Sequence, residues 1–428
     1  MPPDGDHERG RAPDARQGVG EVIARLLAER TQIAFDVVAD TAGVSKRYLL
    51  SKEELRERIQ FLSDCENGLG ALRVRAIIPH RKSWEHILAL TPDASMLLAA
   101  TEDGALTAWD LHPDGPQQRW SFQSEDPISR LRVSADGASL LTCAFRCMQT
   151  RKAENGAQLF TLRGPGVGLQ ALPGFDATPS LTRAVTYGKN GFTLACWDLA
   201  AGRVVHEALE GHTRLISSMS ITPDGETFIS GCSSSEPHIS PGGFVDLGPV
   251  DPALRVWDFA TGNCRRVLHG HKLGVSEICV SPDGALAASA GEDGTARVWD
   301  LESGECLRCF DVYSQPVLQV RFTPDGKRLI TTDGEAVRVW DLERPRDVLT
   351  LRHPDNQYGG ALIGIMSGGL RAATESGQTL CVWNLENGRC VARWKNPIQY
   401  RFCAVTAGRC IALASINGSD ILVLSLQE

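Results

Sequence analysis

The sequence predicts an all-β repeat fold: a closed ring of four-stranded antiparallel sheets, most simply eight of them, preceded by a small α-helical segment. Three observations predict it. First, Trp-Asp or Trp-Asn ends an apolar or β-branched run at Trp109, Trp197, Trp257, Trp299, Trp340 and Trp383, at successive intervals of 88, 60, 42, 41 and 43 residues. Second, turn signals at Asp93, Asp136, Asp224, Asp283 and Asp325 each precede a short apolar strand, and Asp-Gly supplies the positive-φ positions of a tight hairpin. Third, another set of turns at Gly202, Gly262, Gly304 and Gly388 follows the Trp strands, so each unit reads as three short strands, a turn and a fourth strand.

At the N-terminus, residues 1–17 have no large apolar side chain after Met1 and are expected to form a disordered tail. Residues 18–70 read as a helical module. Val19, Val22, Ile23, Leu26, Leu27, Ile33 and Val37 recur mostly at three- and four-residue steps, one face of a helix or of two helices with a break near Thr31. Ser51 with Glu54 three positions on, followed by Leu55, Ile59 and Leu62, predicts an N-cap and a helix over about 52–63. Between them, residues 38–50 resemble the helix-turn-helix of lactose- and tetracycline-repressor-type headpieces and of small transposon-associated proteins. Ala39 and Ala42 let two helices approach, Gly43 takes a left-handed turn, Val44 fills the angle and Ser45 caps the next helix. The resemblance implies DNA contacts by Ser45, Lys46, Arg47, Tyr48 and Lys52. Against it, residues 1–70 carry 10 basic and 13 acidic side chains, and the other reading is a tri-helical adaptor that holds a protein.

In the ring region, the 88-residue interval hides a repeat. Its Trp-type strand is assigned to residues 143–148, with Met148-Gln149 replacing the dipeptide and 154–157 as the turn that follows. The 60-residue interval is one period plus an insertion at 233–252, and a last unit ends in Ile421-Leu422-Val423-Leu424. Residues 72–428, less about 20 inserted residues, give about 42 per unit for eight and about 48 for seven, against a period of about 40 to 45. Eight fits better; the alternative is seven, with a degenerate unit in 150–195 carried as a loop. The chain stops after the third strand of its last unit, which leaves an open edge. Residues 72–78 are the available strand, expected to pair with 420–425 and close the ring.

Strings such as Leu254-Arg255-Val256-Trp257-Asp258-Phe259 and Ala296-Arg297-Val298-Trp299-Asp300-Leu301 resemble the WD40 β-propeller family, and the resemblance covers roughly residues 72–428. It implies a hydrogen-bonded quartet in two units, His271, Ser289, Asp293 and Trp299, and His212, Ser230, Asp251 and Trp257. Buried polar groups are tolerable there because each member satisfies another.

Composition excludes several classes. Hydrophobic residues are 42% and charged residues 22%, as in a globular chain with a large core. No apolar run suffices to cross a bilayer, and no secretory signal opens the chain; a soluble cytoplasmic protein with no membrane role is expected. The net charge of -8 is the wrong sign for a surface that grips phosphates throughout. Thirteen cysteines without repeated spacing argue against a disulfide framework and for a reducing compartment. No phosphate loop and no His-Glu-x-x-His is present; Cys306 and Cys309 form a lone C-x-x-C, and the histidines lack ligand spacing. No catalytic residue, metal or cofactor is expected.

The function expected is therefore a non-enzymatic scaffold binding a protein partner on one loop face, with the helical module recruiting or tethering. That face holds the loops joining second to third and fourth to first strands, where binding residues concentrate. Its candidate partner-binding residues are Arg81, Lys82, Arg214, Lys272, Glu292, Tyr313, Tyr358 and Tyr400, with Phe244 in the insertion. Arg and Tyr are enriched in binding hot spots. The alternatives are a DNA-binding regulator or mobile-element-associated protein, and an enzyme whose site is assembled at the channel mouth.

Overall fold

In the computed structural model, residues 19, 22, 23, 25, 26, 34–51, 56, 59, 72–79, 86–101, 103–112, 114–144, 147–163, 174–188, 191–234, 251–311, 315–344, 348–353, 361–366, 369–376, 379–395, 405–407, 410–414 and 420–426 are described. Their strands form eight four-stranded antiparallel sheets. These are blades 1 to 8, with blade 1 opening at His86–Leu90 and blade 8 at Val405–Ala407. The seven-bladed alternative falls, because both units in the doubtful stretch are complete: blade 2 runs from Ile128–Val133 to Gln158–Leu162 and blade 3 from Phe175–Ala177 to Arg203–Leu209.

Closure joins the two ends of the ring. Leu72–Pro79 is the outer strand of blade 8 and pairs antiparallel with Asp420–Leu426, in a register that sets Leu72 opposite Leu426 and Ala76 opposite Val423. A bulge lies between Val74 and Ala76. The third strand of blade 8 thereby gains a partner on both sides, with Ile411 opposite Leu424 on the inner one, and no bare edge is left there.

Each seam between consecutive blades has its own apolar core. Ile229, Leu254 and Val256 of blade 4 meet Val275, Ile278 and Trp299 of blade 5. Ile78, Ile421 and Val423 of blade 8 meet Leu88, Leu90 and Leu97 of blade 1. Trp197, Trp257, Trp299 and Trp394 are among the largest fully buried side chains; each contributes about 4 to 6 kcal/mol of transfer free energy before the entropy of ordering is subtracted. The hairpins between first and second strands repeat one device: the hydroxyls of Thr222, Ser281 and Thr323 donate to Asp224, Asp283 and Asp325 at 2.6, 2.5 and 2.5 Å. Gly225, Gly284 and Gly326 then take φ of 76°, 76° and 68°.

Blade 2 corrects the sequence reading. Residues 143–148 are not one strand: Ser139–Ala144 and Met148–Lys152 are separate strands paired to each other. Arg151 lies opposite Leu140 as Trp299 lies opposite Ala287. The Trp-Asp position is therefore Arg151-Lys152, three residues later than expected, because an arginine carries no dipeptide signal. Arg151 is buried. Its guanidinium donates to Gly156 O at 2.8 Å and Gln149 Oε1 at 2.8 Å and sits 3.5 Å from the Phe122 ring centroid.

The helical segment contains α1 (Phe35–Ala42) and α2 (Lys46–Ser51). Gly43 has φ 64° and ψ 27°, and its N–H closes α1 on Ala39 O and Asp40 O. The Ser45 hydroxyl accepts the Tyr48 N–H at 3.1 Å. Ser51 is not an N-cap: it ends α2, and its hydroxyl donates back to Tyr48 O at 2.7 Å. Of the helix expected over 52–63, Arg56 and Ile59 are described, and both are helical. Val19, Ile23, Leu26, Val38, Leu49 and Ile59 are buried in one cluster with Trp394 of blade 7 and Leu424 and Leu426 of blade 8. The helices thus pack on the seam between blades 7 and 8.

Candidate functional site

The inner strands line a central cavity of about 930 Å³, walled by blades 1 to 6 and rich in serine and arginine. Neighbouring inner strands are tied by side chains. Ser218 Oγ accepts Ile278 N–H, Glu277 Oε2 accepts Val320 N–H and Gln319 Oε1 accepts Leu362 N–H, each at 2.9 Å. Arg132 pairs with Asp176 across blades 2 and 3, and Arg321 with Glu277 across blades 6 and 5. Sequence reasoning missed these residues. Their signal was a polar side chain on an inner strand, where it satisfies a backbone N–H of the next blade's inner strand.

In blade 5 the quartet is complete. His271 Nδ1 lies 3.1 Å from Asp293 Oδ1 and its Nε2 lies 2.7 Å from Ser289 Oγ, which accepts the Trp299 indole N–H at 2.9 Å. With a proton on Nδ1, each group donates to the next. Burial alone would raise the Asp293 carboxyl; donation from His271, Lys272 N–H and Thr295 holds it well below the usual carboxylate range. The bond from Trp to a second-strand hydroxyl recurs at Trp197–Thr186, Trp257–Ser230, Trp340–Thr331 and Trp383–Thr374, between 2.7 and 2.9 Å. In blade 7, His353 Nε2 also reaches Thr374 Oγ1 at 2.7 Å, a member the sequence reading did not find because no glycine precedes it.

Blade 4 departs from that plan. His212 Nε2 lies 2.7 Å from Ser230 Oγ, and Trp257 donates to the same oxygen at 2.9 Å. At Nδ1, however, three groups converge: Asp251 Oδ2 at 3.3 Å, Cys232 Sγ at 3.0 Å and Arg255 Nη1 at 2.9 Å. Arg255 Nη1 is also 2.9 Å from Asp251 Oδ2. A guanidinium can only donate, so His212 accepts at Nδ1 and carries its proton on Nε2. Burial lowers the His212 imidazole and pushes the Cys232 thiol up to about 12. Burial would raise Asp251, but the Arg255 charge and donation from the Thr213 N–H hold it at about 2. Cys232 and Arg255 were not singled out in the sequence. In blade 5 the place of Cys232 belongs to Gly291, where a Cβ would lie 2.4 Å from both His271 Nδ1 and Asp293 Oδ1.

On the nominated loop face, Lys272 is exposed and Arg214 half-buried. Glu292 is engaged internally: Ser233 Oγ donates to it at 2.7 Å and Ser234 N–H at 3.2 Å, which ties the base of the blade 4 insertion to blade 5. Arg81, Lys82, Phe244, Tyr313, Tyr358 and Tyr400 lie outside the described residues, as does Lys52. Of the candidate DNA contacts, Ser45 and Arg47 are exposed, Lys46 is paired with Asp36 at 2.8 Å, and Tyr48 is half-buried against the ring seam. Among the described residues eleven cysteines are free thiols, Cys306 and Cys309 both exposed. Among the described residues no helix is long and apolar enough to cross a membrane.

A ring of eight sheets with Trp-centred quartets defines a repeat β-propeller. The family model for the WD domain, G-beta repeat, matches residues 202–244, 262–300 and 304–341, and the chain is a WD40-type β-propeller. It is similar to the uncharacterized WD repeat-containing protein sll1491 of Synechocystis sp., 26% identical over 237 residues, covering 49% of this chain and 66% of that one. It is also similar to nuclear distribution protein PAC1 of Arthroderma otae, 27% identical over 26% of this chain and 32% of the other. Small ribosomal subunit protein RACK1y of Oryza sativa subsp. japonica is 34% identical over 21% of this chain and 22% of its own. The chain thus spans less than two thirds of the length of these curated relatives. Among solved structures, the computationally designed Ika8 protein aligns with a TM-score of 0.64 at 16% identity, covering 82% of this chain and 99% of that one; this likeness is one of fold.

Proposed function

We propose that this chain is a non-enzymatic, cytoplasmic interaction platform that holds a protein partner on the loop face of blades 4 and 5. The observation that carries the reading is the rigid base of the blade 4 insertion: Ser233 and Ser234 are bound to Glu292 of the next blade, beside exposed Lys272 and half-buried Arg214. A preorganised loop base lowers the entropy cost of binding. Relatives of the fold support a general scaffolding role.

The test is retention of a partner from lysate. Lys272→Glu and Arg214→Glu are expected to reduce it at least about tenfold, since charge reversal at an interface costs affinity, while Glu302→Lys on the opposite turn of blade 5 leaves it unchanged. Equal retention by all three would refute the choice of face. A second reading is favoured by one observation, the left-handed Gly43 turn and Ser45 cap of a helix-turn-helix: DNA contact through Arg47. Binding of duplex DNA at low salt that is lost on Arg47→Glu would support it, and absence of binding by the full chain removes it.

A further inference from the structure

Blade 4 differs from its neighbour by a thiol, and the difference has chemical content. His212 Nδ1, Cys232 Sγ and Asp251 Oδ2 all lie within 4.8 Å of one another, and all three residues are buried. Imidazole nitrogen, thiolate sulfur and carboxylate oxygen are the donors of tetrahedral Zn²⁺ sites that keep one open position. The three come from separate segments, so no ligand spacing betrays them in the sequence. We propose that this cluster binds Zn²⁺ in exchange for the Arg255 guanidinium.

Arg255 now serves as the cation of the cluster, 2.9 Å from both His212 Nδ1 and Asp251 Oδ2. The equivalent residue of blade 5 indicates where it can go. Arg297 leaves His271 and Asp293 to each other and directs Nη1 toward Cys306 Sγ at 3.8 Å on the outer strand. Cys264 is the counterpart of Cys306, opposite Trp257 as Cys306 is opposite Trp299, so the same path is open to Arg255. Charge balances through the exchange. One guanidinium and a neutral thiol are replaced by one divalent ion and a thiolate, and in both states the cationic excess of one faces Asp251. The Cys232 proton goes to solvent, which makes binding tighter as pH rises. Imidazole is already in the neutral form that a metal requires, with Nδ1 free of a proton and Nε2 held by Ser230.

Cys232 and Asp251 also bracket the insertion of blade 4, so an ion would fasten both ends of that loop.

The test uses the full-length reduced chain, stripped with chelator and titrated with Co²⁺. One equivalent is expected to give the visible bands of a four-coordinate site and a sulfur-to-cobalt charge-transfer band, all erased by Zn²⁺. Cys232→Ser should abolish the charge-transfer band and weaken binding by about 100-fold, and Arg255→Gln should tighten it about tenfold by removing the competing cation. Because Arg255→Gln gains affinity, a folding defect cannot mimic the result. No bands in either the natural chain or Arg255→Gln would overturn the proposal, as would bands that persist in Cys232→Ser, which place the ion on another thiol.

Discussion

The Trp299 indole N–H donates to the Ser289 hydroxyl across 2.9 Å, and the same bond is made by the tryptophan of every other Trp-bearing blade except the first. There Trp109 lies opposite Leu97, so Ala99 holds the place of Ser289, and the buried Trp109 Nε1 has no partner among the described residues. Ala99→Ser is expected to stabilise the protein by about 1 kcal/mol, and Ser289→Ala to destabilise it by about 2 kcal/mol. Urea denaturation of both variants checks the pair of signs.

Stability in acid should depend on Asp251. Its folded value of about 2 lies below the ~3.9 of an unfolded chain. The ionised carboxylate therefore stabilises the fold at neutral pH, and that contribution is lost as pH falls from roughly 4 to 2. Asp251→Asn is expected to cost about 2 kcal/mol at pH 6, with the gap closing toward pH 2. Denaturation midpoints of both proteins across that window measure it.

Arg151 takes a tryptophan's place in blade 2 and is held by Gly156 O, Gln149 and the Phe122 ring. Arg151→Ala leaves buried acceptors unpaired and removes the contact with the ring; a loss of about 3 kcal/mol is expected. Arg151→Trp regains a Trp beside Thr142, the residue at the Ser289 position, and should lose less than the alanine variant. Thermal unfolding ranks the two.

The helices should stabilise the closure seam. Leu49 is fully buried in the cluster that also contains Trp394 and Leu426. Leu49→Ala is expected to cost about 3 kcal/mol and to raise hydrogen exchange in Cys390–Lys395 and Asp420–Leu426. An effect confined to residues 19–59 would show that the module and the ring are uncoupled.

What the sequence alone determined was the periodic part. Trp-Asp dipeptides at intervals of 41 to 43 residues, hydrophobic alternation and Asp-Gly turns are local signals, and they were enough for the ring and its eight blades, because each follows from strand period and turn geometry; the Trp-centred quartets were implied by the family resemblance. Where a blade lost its local signal, the register slipped, as at Arg151. Other features arise only when distant segments meet. The channel ties of Ser218, Glu277 and Gln319, the cluster of Cys232 and Arg255 around His212, and the burial of Val38 and Leu49 against Trp394 join residues far apart along the chain or side chains with no spacing rule. Tertiary structure decided those, since which polar group finds a partner, and which apolar face is covered, depends on packing that no local pattern encodes.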